Sequence, residues 1–328
     1  MRAFTITDEN GVLECVVKDV EPTAVANDDV LVKVDFSGIN FKDAMVGTAK
    51  SRVRRISSLV GGVDAAGTIV ESSNTELPIG ARVAVHGGNL GVGRDGGFAQ
   101  FIYAPAHYLS LLPASLSTHD AMVIGTAGFT AMQSVLALED YGAPLGEETL
   151  VTGATGGVGS MSVTFLAALG YRPVASTGSF DESDWLRARG ATRVIGRTDV
   201  SDKPDRVLGT ELWCGAIDCV GGDTLAQILR SLRYGSAVAA SGLVASADLV
   251  TTVYPFITRN VALLGIDSVE VASTMRSRVW DALGKISSSI DFGPLVDRVV
   301  HLEDLPSAFE SIRQGKTRGR ILVTPTPG

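Results

Sequence analysis

The sequence predicts an α/β protein in two parts, a compact, mostly antiparallel β domain followed by a doubly wound parallel sheet with helices on both faces. Three observations predict it. The 328-residue length exceeds the roughly 250 to 300 residues at which a single core stops growing. The first 120 residues are rich in short β-like runs punctuated by glycine and proline, the spacing of an antiparallel domain. From residue 148 onward, strand-like and helix-like segments alternate, which implies parallel βαβ units with right-handed crossovers.

The early strands are read in "AFTI", "DVLVKVDFSGI", "AAGTIVES", "ARVAVHG" and "AQFIYAP". "THDAMVIGTAGFTAMQSVLALEDYG" then changes to helical spacing, placing the switch in architecture near residue 120. Next come the strand "ETLVTGA", the helix "GSMSVTFLAALG", the strand "RPVAST", the helix "DESDWLRARG" and the strands "RVI" and "WCGAIDCV". The helix "DTLAQILRSL" and the strands "GSAVAAS" and "VALLGID" complete the series. These strands are continuously apolar, as expected when helices cover both faces of a sheet. After a helix near 269–287, "LVDRVVHLEDLPSAFESIRQGKTRGRILVTP" returns to strand, helix, strand. This tail is too short to fold alone and is expected to rejoin the first domain. The expected domains are therefore 1–121 completed by 290–328, and 122–289.

A net charge of -8 with acids and bases interspersed gives no field that would draw in nucleic acid or an anionic membrane. Phosphates must be met by local groups. The N-terminal "MRAFTITDENGVLECVV" has acids and no apolar run of signal length, and no later segment offers some 18 uninterrupted apolar residues; a cytoplasmic location is expected. Cys15, Cys214 and Cys219 are too few for a disulfide framework and lack CxxC spacing. His86, His107, His119 and His301 form no HxxxH or HExxH pattern, so no metal site is expected.

The stretch "LVTGATGGVGSMSV" at 150–163 ends a strand and starts a helix. A dinucleotide's pyrophosphate needs this junction, because amide hydrogens at a helix N-terminus point at it and missing side chains let it approach. Against GxGxxG the positions are Ala154, Thr155, Gly156, Gly157, Val158 and Gly159, so alanine replaces the first glycine. The alternative is a strand-to-helix turn without a ligand. At the end of the next strand an NAD enzyme typically carries Asp or Glu for the ribose 2'-hydroxyl. Here Ser176, Thr177, Gly178 and Ser179 stand instead. Hydroxyls can donate to a 2'-phosphate that a carboxylate would repel, so NADPH is expected over NADH. Arg197, in "VIGRTDV", is the best cationic partner and Arg187 the second, with a solvated surface charge as the alternative reading of Arg197.

With "NFKDAMVGTAK" at 40–50, "GVDAAGTIVES" at 62–72, "IGTAGFTAMQSVLALE" at 124–139, "VTGATGGVGS" at 151–160 and "LLGIDSV" at 263–269, the chain resembles the medium-chain dehydrogenase/reductase superfamily. Within it, the resemblance is to the zinc-free acrylyl-CoA reductases and quinone oxidoreductases, over essentially the whole length. The resemblance implies a GroES-like mainly-β catalytic domain closed by the C-terminal tail, and a Rossmann domain, with the cofactor in the cleft between them. It implies no zinc, and the residues agree: Ser37, Gly38 and Asn40 stand where zinc enzymes place a cysteine ligand, and Gly62, Val63 and Asp64 where they place Gly-His-Glu. It assigns Thr155, Gly156, Gly157 and Val158 to the pyrophosphate. Ser176, Thr177, Gly178, Ser179 and Arg197 surround the 2'-phosphate, and Leu243, Ile257 and Ser268 line the nicotinamide side. Taken alone, Leu243 and Ile257 read as core residues; only their places near strand ends, where open α/β sheets bind ligands, argue otherwise. The subfamily's "NYKDA" carries Phe41 here in place of tyrosine, and its "TGR" is "TGS" with Ser179 in place of arginine.

A metal-free site must deliver hydride to a carbon already electrophilic, such as the β-carbon of an α,β-unsaturated thioester or a quinone ring. The oxygen that gains charge needs preorganised donors. Asn40 and Lys42 are the candidates, with Asp43 orienting Lys42 or relaying a proton; a structural Lys42–Asp43 ion pair is the competing reading. Phe41 is an apolar wall beside the nicotinamide. For the phosphates of a CoA substrate, "SRVRRIS" offers Arg52, Arg54 and Arg55, and "GVGRDGGF" adds Arg94; a solvated loop explains the same residues. The glycine-rich stretch Gly87 to Gly97 is a candidate lid. The sequence thus points to an NADPH-dependent reductase of a small acyl-CoA, with a quinone reductase and a non-catalytic NADPH sensor as alternatives. Zinc-free members of the superfamily imply a homodimer.

Overall fold

The computed structural model describes residues 1–201 and 206–326. It divides into two compact units, Met1–Thr126 with Ser268–Gly328, and Ala127–Asp267.

Strand Val30–Ile39 is the spine of the first unit. Its valines and isoleucine are buried, and it pairs antiparallel with Asp64–Glu71, Phe101–Ala104 and Arg320–Thr324. The tail therefore does rejoin this sheet. Its register sets Ile321 opposite Ile39, Leu322 opposite Gly38 and Val323 opposite Ser37, which carries Arg320 to the level of Asn40. Phe4, Phe98 and Phe309 meet at ring separations of 5.9 to 6.4 Å. Ala308, Leu305 and Val323 of the tail are buried in the same cluster, so the tail supplies core as well as strands. Helix Ser273–Ile286 also belongs to this unit, whereas its sequence position suggested the second. Its apolar spacing buries Val279, Trp280 and Leu283, but spacing alone does not say which sheet an amphipathic helix will cover.

The second unit holds, among the described residues, a six-stranded sheet that is parallel throughout. The strand order is Arg193–Gly196, Arg172–Thr177, Glu148–Thr152, Gly215–Asp218, Ala237–Ala240, Ala262–Gly265. Numbered from Glu148–Thr152, this is 3-2-1-4-5-6, the order of a dinucleotide-binding sheet. Leu150, Val174, Ala216 and Val238 have no exposed surface, which explains the unbroken apolar runs. Helix Thr118–Tyr141 is interrupted at Gly125 (φ 49°, ψ -161°), next to the division at Thr126.

Candidate active site

In an open parallel sheet, ligands bind beyond the carboxyl ends of the strands where the order reverses. Here that point lies between Glu148–Thr152 and Gly215–Asp218. After Thr152 the chain turns at Gly153 (φ 60°), and the Gly156 N–H donates to the Gly153 carbonyl at 3.0 Å. Gly156 then caps helix Gly157–Ala168. A Cβ on Gly159 would overlap the Gly153 carbonyl, so this glycine is required for the helix to lie against the turn. The remaining amides at the start of the helix face outward as a ready anion seat.

The end of strand Arg172–Thr177 is bonded to this turn. The Ala154 N–H donates to the Ser176 carbonyl at 3.1 Å, and the Thr155 and Thr177 hydroxyls lie 3.4 Å apart. The Ser179 N–H donates to Thr177 Oγ1 at 2.9 Å. Ser176 and Thr177 are buried, whereas Gly178 is exposed. The Arg197 guanidinium lies directly over Gly178, where a Cβ would collide with it. Of the predicted 2'-phosphate group, the structure therefore sets Gly178, Ser179 and Arg197 at the surface and makes Ser176 and Thr177 a scaffold beneath. Ser176 to Ser179, which end this strand and turn, include no carboxylate. These features fit a dinucleotide carrying a 2'-phosphate.

Asp218, which the sequence reading passed over, braces the seat from the far side. It accepts from Thr152 Oγ1 at 2.6 Å and from the Gly221 N–H at 2.8 Å, joining the two strand ends that flank the switch point. Burial pushes its pKa up. A lone acid closing the apolar run "GAIDCV" was the available signal. Leu243 and Ile257 are 66% and 73% exposed, which excludes their reading as core residues. Ser268 is buried and belongs to the first unit.

In the first unit, "NFKDA" forms the short helix Phe41–Val46. Arg54 and Arg313 donate to its Val46 and Ala44 carbonyls at 2.7 and 3.1 Å. Phe41 is half exposed and Lys42 partly so. Among the described residues no ion pair joins Lys42 to Asp43, which removes the structural-pair reading. Asp43 instead turns inward, accepting the Asn40 and Val63 backbone N–H groups at 2.8 and 2.9 Å. Its pKa is pushed up to about 7, first by burial and then by the charge of Asp64.

Asp64 itself accepts from the Gly38 N–H at 3.1 Å, Asn40 Nδ2 at 2.9 Å and the Thr126 N–H at 2.8 Å, and it pairs with the buried Arg320 at 3.6 Å. Arg320 in turn donates to Asn40 Oδ1 at 3.0 Å. Asn40, Asp43, Asp64 and Arg320 thus form one network, of which the sequence reading had two members as catalytic candidates. Ser37 is consumed by the Asp64 carbonyl at 2.6 Å.

The arginines proposed for CoA phosphates separate. Arg54 is buried against Asp8, and Arg94 pairs with Asp29 at 2.8 Å and donates to the Tyr103 carbonyl at 3.1 Å; both are structural. Arg55 donates to Asn89 Oδ1, and Arg52 is exposed. The Gly87–Gly97 loop is not a lid. Leu90, Gly91, Val92, Gly96 and Gly97 are buried, and the loop is tied down by Gly96 N–H to Val60 O at 2.9 Å, Gly97 N–H to Gly62 O at 2.9 Å and Val60 N–H to Asp95 Oδ1 at 2.7 Å.

Comparison with known families matches residues 26–114 to the alcohol dehydrogenase GroES-like domain and residues 157–285 to the zinc-binding dehydrogenase family. The chain is 44% identical over 308 residues to the Bacillus subtilis protein named "Putative quinone oxidoreductase YhfP", covering 94% of this chain and 93% of the relative. The chain belongs to the medium-chain dehydrogenase/reductase superfamily. It is an oxidoreductase of that superfamily, with the expected pairing of a GroES-like and a Rossmann domain. A second relative is the acrylyl-CoA reductase AcuI of Ruegeria pomeroyi, 39% identical, with 96% of each chain covered. Among solved structures, the yhdH oxidoreductase of Salmonella enterica in complex with NADP has a TM-score of 0.94 at 37% identity, covering 99% of this chain and 100% of that one. B. subtilis yhfP with NAD bound has the same score at 41% identity, with 98% of each covered.

Zinc is named for the matched superfamily family, yet among the described residues no group of three or more His, Cys, Asp and Glu side chains is placed to hold a metal ion. His86 is buried against Arg276 Nη1, which lies 2.9 Å from Nε2 and 3.2 Å from Nδ1. Burial and that positive charge hold its pKa well below the usual imidazole value.

Proposed function

We propose that this superfamily member reduces the C=C bond of a small α,β-unsaturated acyl-CoA with NADPH, without a metal. The observation that carries the cofactor reading is the Arg197 guanidinium over the exposed Gly178. Thr155, Gly156, Gly157 and Val158 would hold the pyrophosphate, Gly178, Ser179 and Arg197 the 2'-phosphate on its scaffold of Ser176 and Thr177, and Leu243, Ile257 and Ser268 the nicotinamide side. When bound, the dihydronicotinamide supplies a hydride.

Hydride addition to the β-carbon moves charge onto the thioester oxygen, and a donor preorganised for that oxygen lowers the barrier. The Asn40 amide is that donor. Lys42, free of Asp43, adds positive charge near it, and Phe41 offers an apolar face. Protonation of the α-carbon then comes from water, with Asp43 titrating nearby at about neutral pH. Arg52 and Arg55 are the remaining candidates for CoA phosphates.

A second reading, reduction of a quinone, is favoured by the 44% identity to the B. subtilis relative. The test is oxidation of NADPH and of NADH with acrylyl-CoA and with 1,4-benzoquinone. We expect faster turnover of acrylyl-CoA with NADPH. Turnover of the quinone alone sinks the thioester reading, and tight NADPH binding without turnover of either acceptor returns the protein to a sensor. A cytoplasmic homodimer completes the proposal.

A further inference from the structure

The parallel sheet has a cavity at the end that the glycine-rich turn does not use. It lies at the amino ends of the adjacent strands Gly215–Asp218 and Ala237–Ala240, where Cys214 and Ala237 line it. The length of a strand, on the order of 15 Å, separates it from the turn at Gly153. Two turns with left-handed glycines, Gly142 (φ 96°) and Gly235 (φ 72°), form its walls. Both are pinned: the Ala143 N–H donates to the Leu138 carbonyl at 2.9 Å, and the Gly235 N–H to the Arg259 carbonyl at 2.7 Å. The Tyr141 hydroxyl donates to the Asn260 carbonyl at 3.2 Å. These walls are set before any ligand arrives, which lowers the cost of binding.

Leu138, Cys214 and Ala237 are buried and make an apolar floor. Burial pushes the Cys214 thiol up, so the floor carries no charge at neutral pH. Among the described residues that line the cavity, Arg233 alone is charged. Its Nη1 donates to Glu147 Oε2 at 3.1 Å and to Cys214 Sγ at 3.0 Å; among the described residues, Nη2 and Nε have no partner. Ser236 also lines the cavity and is 7% exposed. Its hydroxyl makes no hydrogen bond among the described residues, and a buried hydroxyl left so is costly. Donors thus stand above an apolar floor, with no acid in the lining.

We propose that this cavity binds a small organic monocarboxylate, its carboxylate on Arg233 and the Ser236 hydroxyl and its apolar body over Leu138, Pro144 and Tyr141. A guanidinium matches a carboxylate through paired N–H groups. The volume of about 180 Å³ is below the roughly 300 Å³ at which sites for drug-sized ligands begin. A nucleotide or a CoA ester is therefore too large, and the ligand differs from those of the sheet's other end. Glu147, with 47% of its side chain exposed, orients the guanidinium through Nη1 and leaves the opposite edge to the ligand. Its own charge opposes a bound carboxylate only through a solvent-screened pair.

The test is isothermal titration of the full chain with benzoate, 3-methylbutanoate, benzamide and inorganic phosphate, with saturating NADPH present throughout. At least one of the two acids is expected to bind with a Kd of about 1 mM or tighter, at least about tenfold more tightly than benzamide or phosphate. Arg233→Gln should weaken that acid at least about tenfold, and Ser236→Ala about threefold. Glu147→Gln, which removes the opposing charge, should tighten it about threefold, a gain that loosened packing does not produce. Failure of both acids to bind at about 20 mM overturns the site. Undiminished binding in Arg233→Gln also overturns it, by placing the acid elsewhere on the protein, and phosphate binding as tight as the acids' removes the apolar body. Should Arg233→Gln fail to fold, Glu147→Gln decides, because unchanged or weaker binding there overturns the proposal.

Discussion

Asp43 binds its proton more tightly in the folded protein than in the unfolded chain, where its carboxyl ionises near 3.8. Below that pH both states hold the proton. As pH rises from about 4 to about 7 only the unfolded chain releases it, so this group's contribution to stability is lost across that window. Denaturant unfolding at pH 5 and pH 8 should show stability falling by roughly 2 kcal/mol more in wild type than in Asp43→Asn; identical slopes would show that Asp43 titrates normally. Arg197 supports a second prediction on the same scale. Arg197→Ala should weaken NADPH binding about 10- to 100-fold, the worth of a charge-assisted hydrogen bond, and leave NADH binding nearly unchanged. Parallel losses, measured by fluorescence titration, would place the 2'-phosphate elsewhere. Residue identity was a poorer guide for the other cations. "SRVRRIS" looks uniform in sequence, yet Arg54 is locked on Asp8 while Arg52 is exposed, a distinction made by where the loop packs.

The glycine-rich element was legible because strand, turn and helix are local, and each glycine acts within a few residues of its neighbours. Their roles still differ. Gly156 has ordinary extended dihedrals (φ -76°, ψ 174°), whereas Gly159 abuts the Gly153 carbonyl. Gly159→Ala should therefore destabilise the protein by about 2 kcal/mol or more and weaken NADPH binding, while Gly156→Ala should cost less than about 1 kcal/mol. Thermal denaturation with and without NADPH checks the contrast, and equal costs would refute it. The loop Gly87–Gly97 shows the limit of composition. Its glycines suggested mobility, but Gly91 and Gly96 are small because the Gly62 backbone packs against them. A glycine permits flexibility and close approach alike, and only the contacts decide which one is used.

At the level of the whole molecule, the first unit is discontinuous and depends on its tail. Residues 1–126 produced alone lack the strands Val296–His301 and Arg320–Thr324 and the buried Leu302, Leu305, Phe309 and Val323. That fragment should show no cooperative unfolding transition by circular dichroism, and a sharp transition would mean the tail is dispensable. Residues 127–267, a continuous unit, should fold alone.

By itself the sequence determined the alternation of strand and helix, the return of the tail to the first sheet and the glycine-rich strand-to-helix turn. All of these follow from local periodicity and from short-range steric requirements. The tertiary structure alone decided which sheet helix Ser273–Ile286 covers, which arginines are spent on structure, and which charges surround Asn40. Asp64 and Arg320 lie 24 and 280 residues from Asn40 along the chain. Hydrogen bonds over such separations are set by strand register and by the space left between glycines, and neither is written in any local pattern.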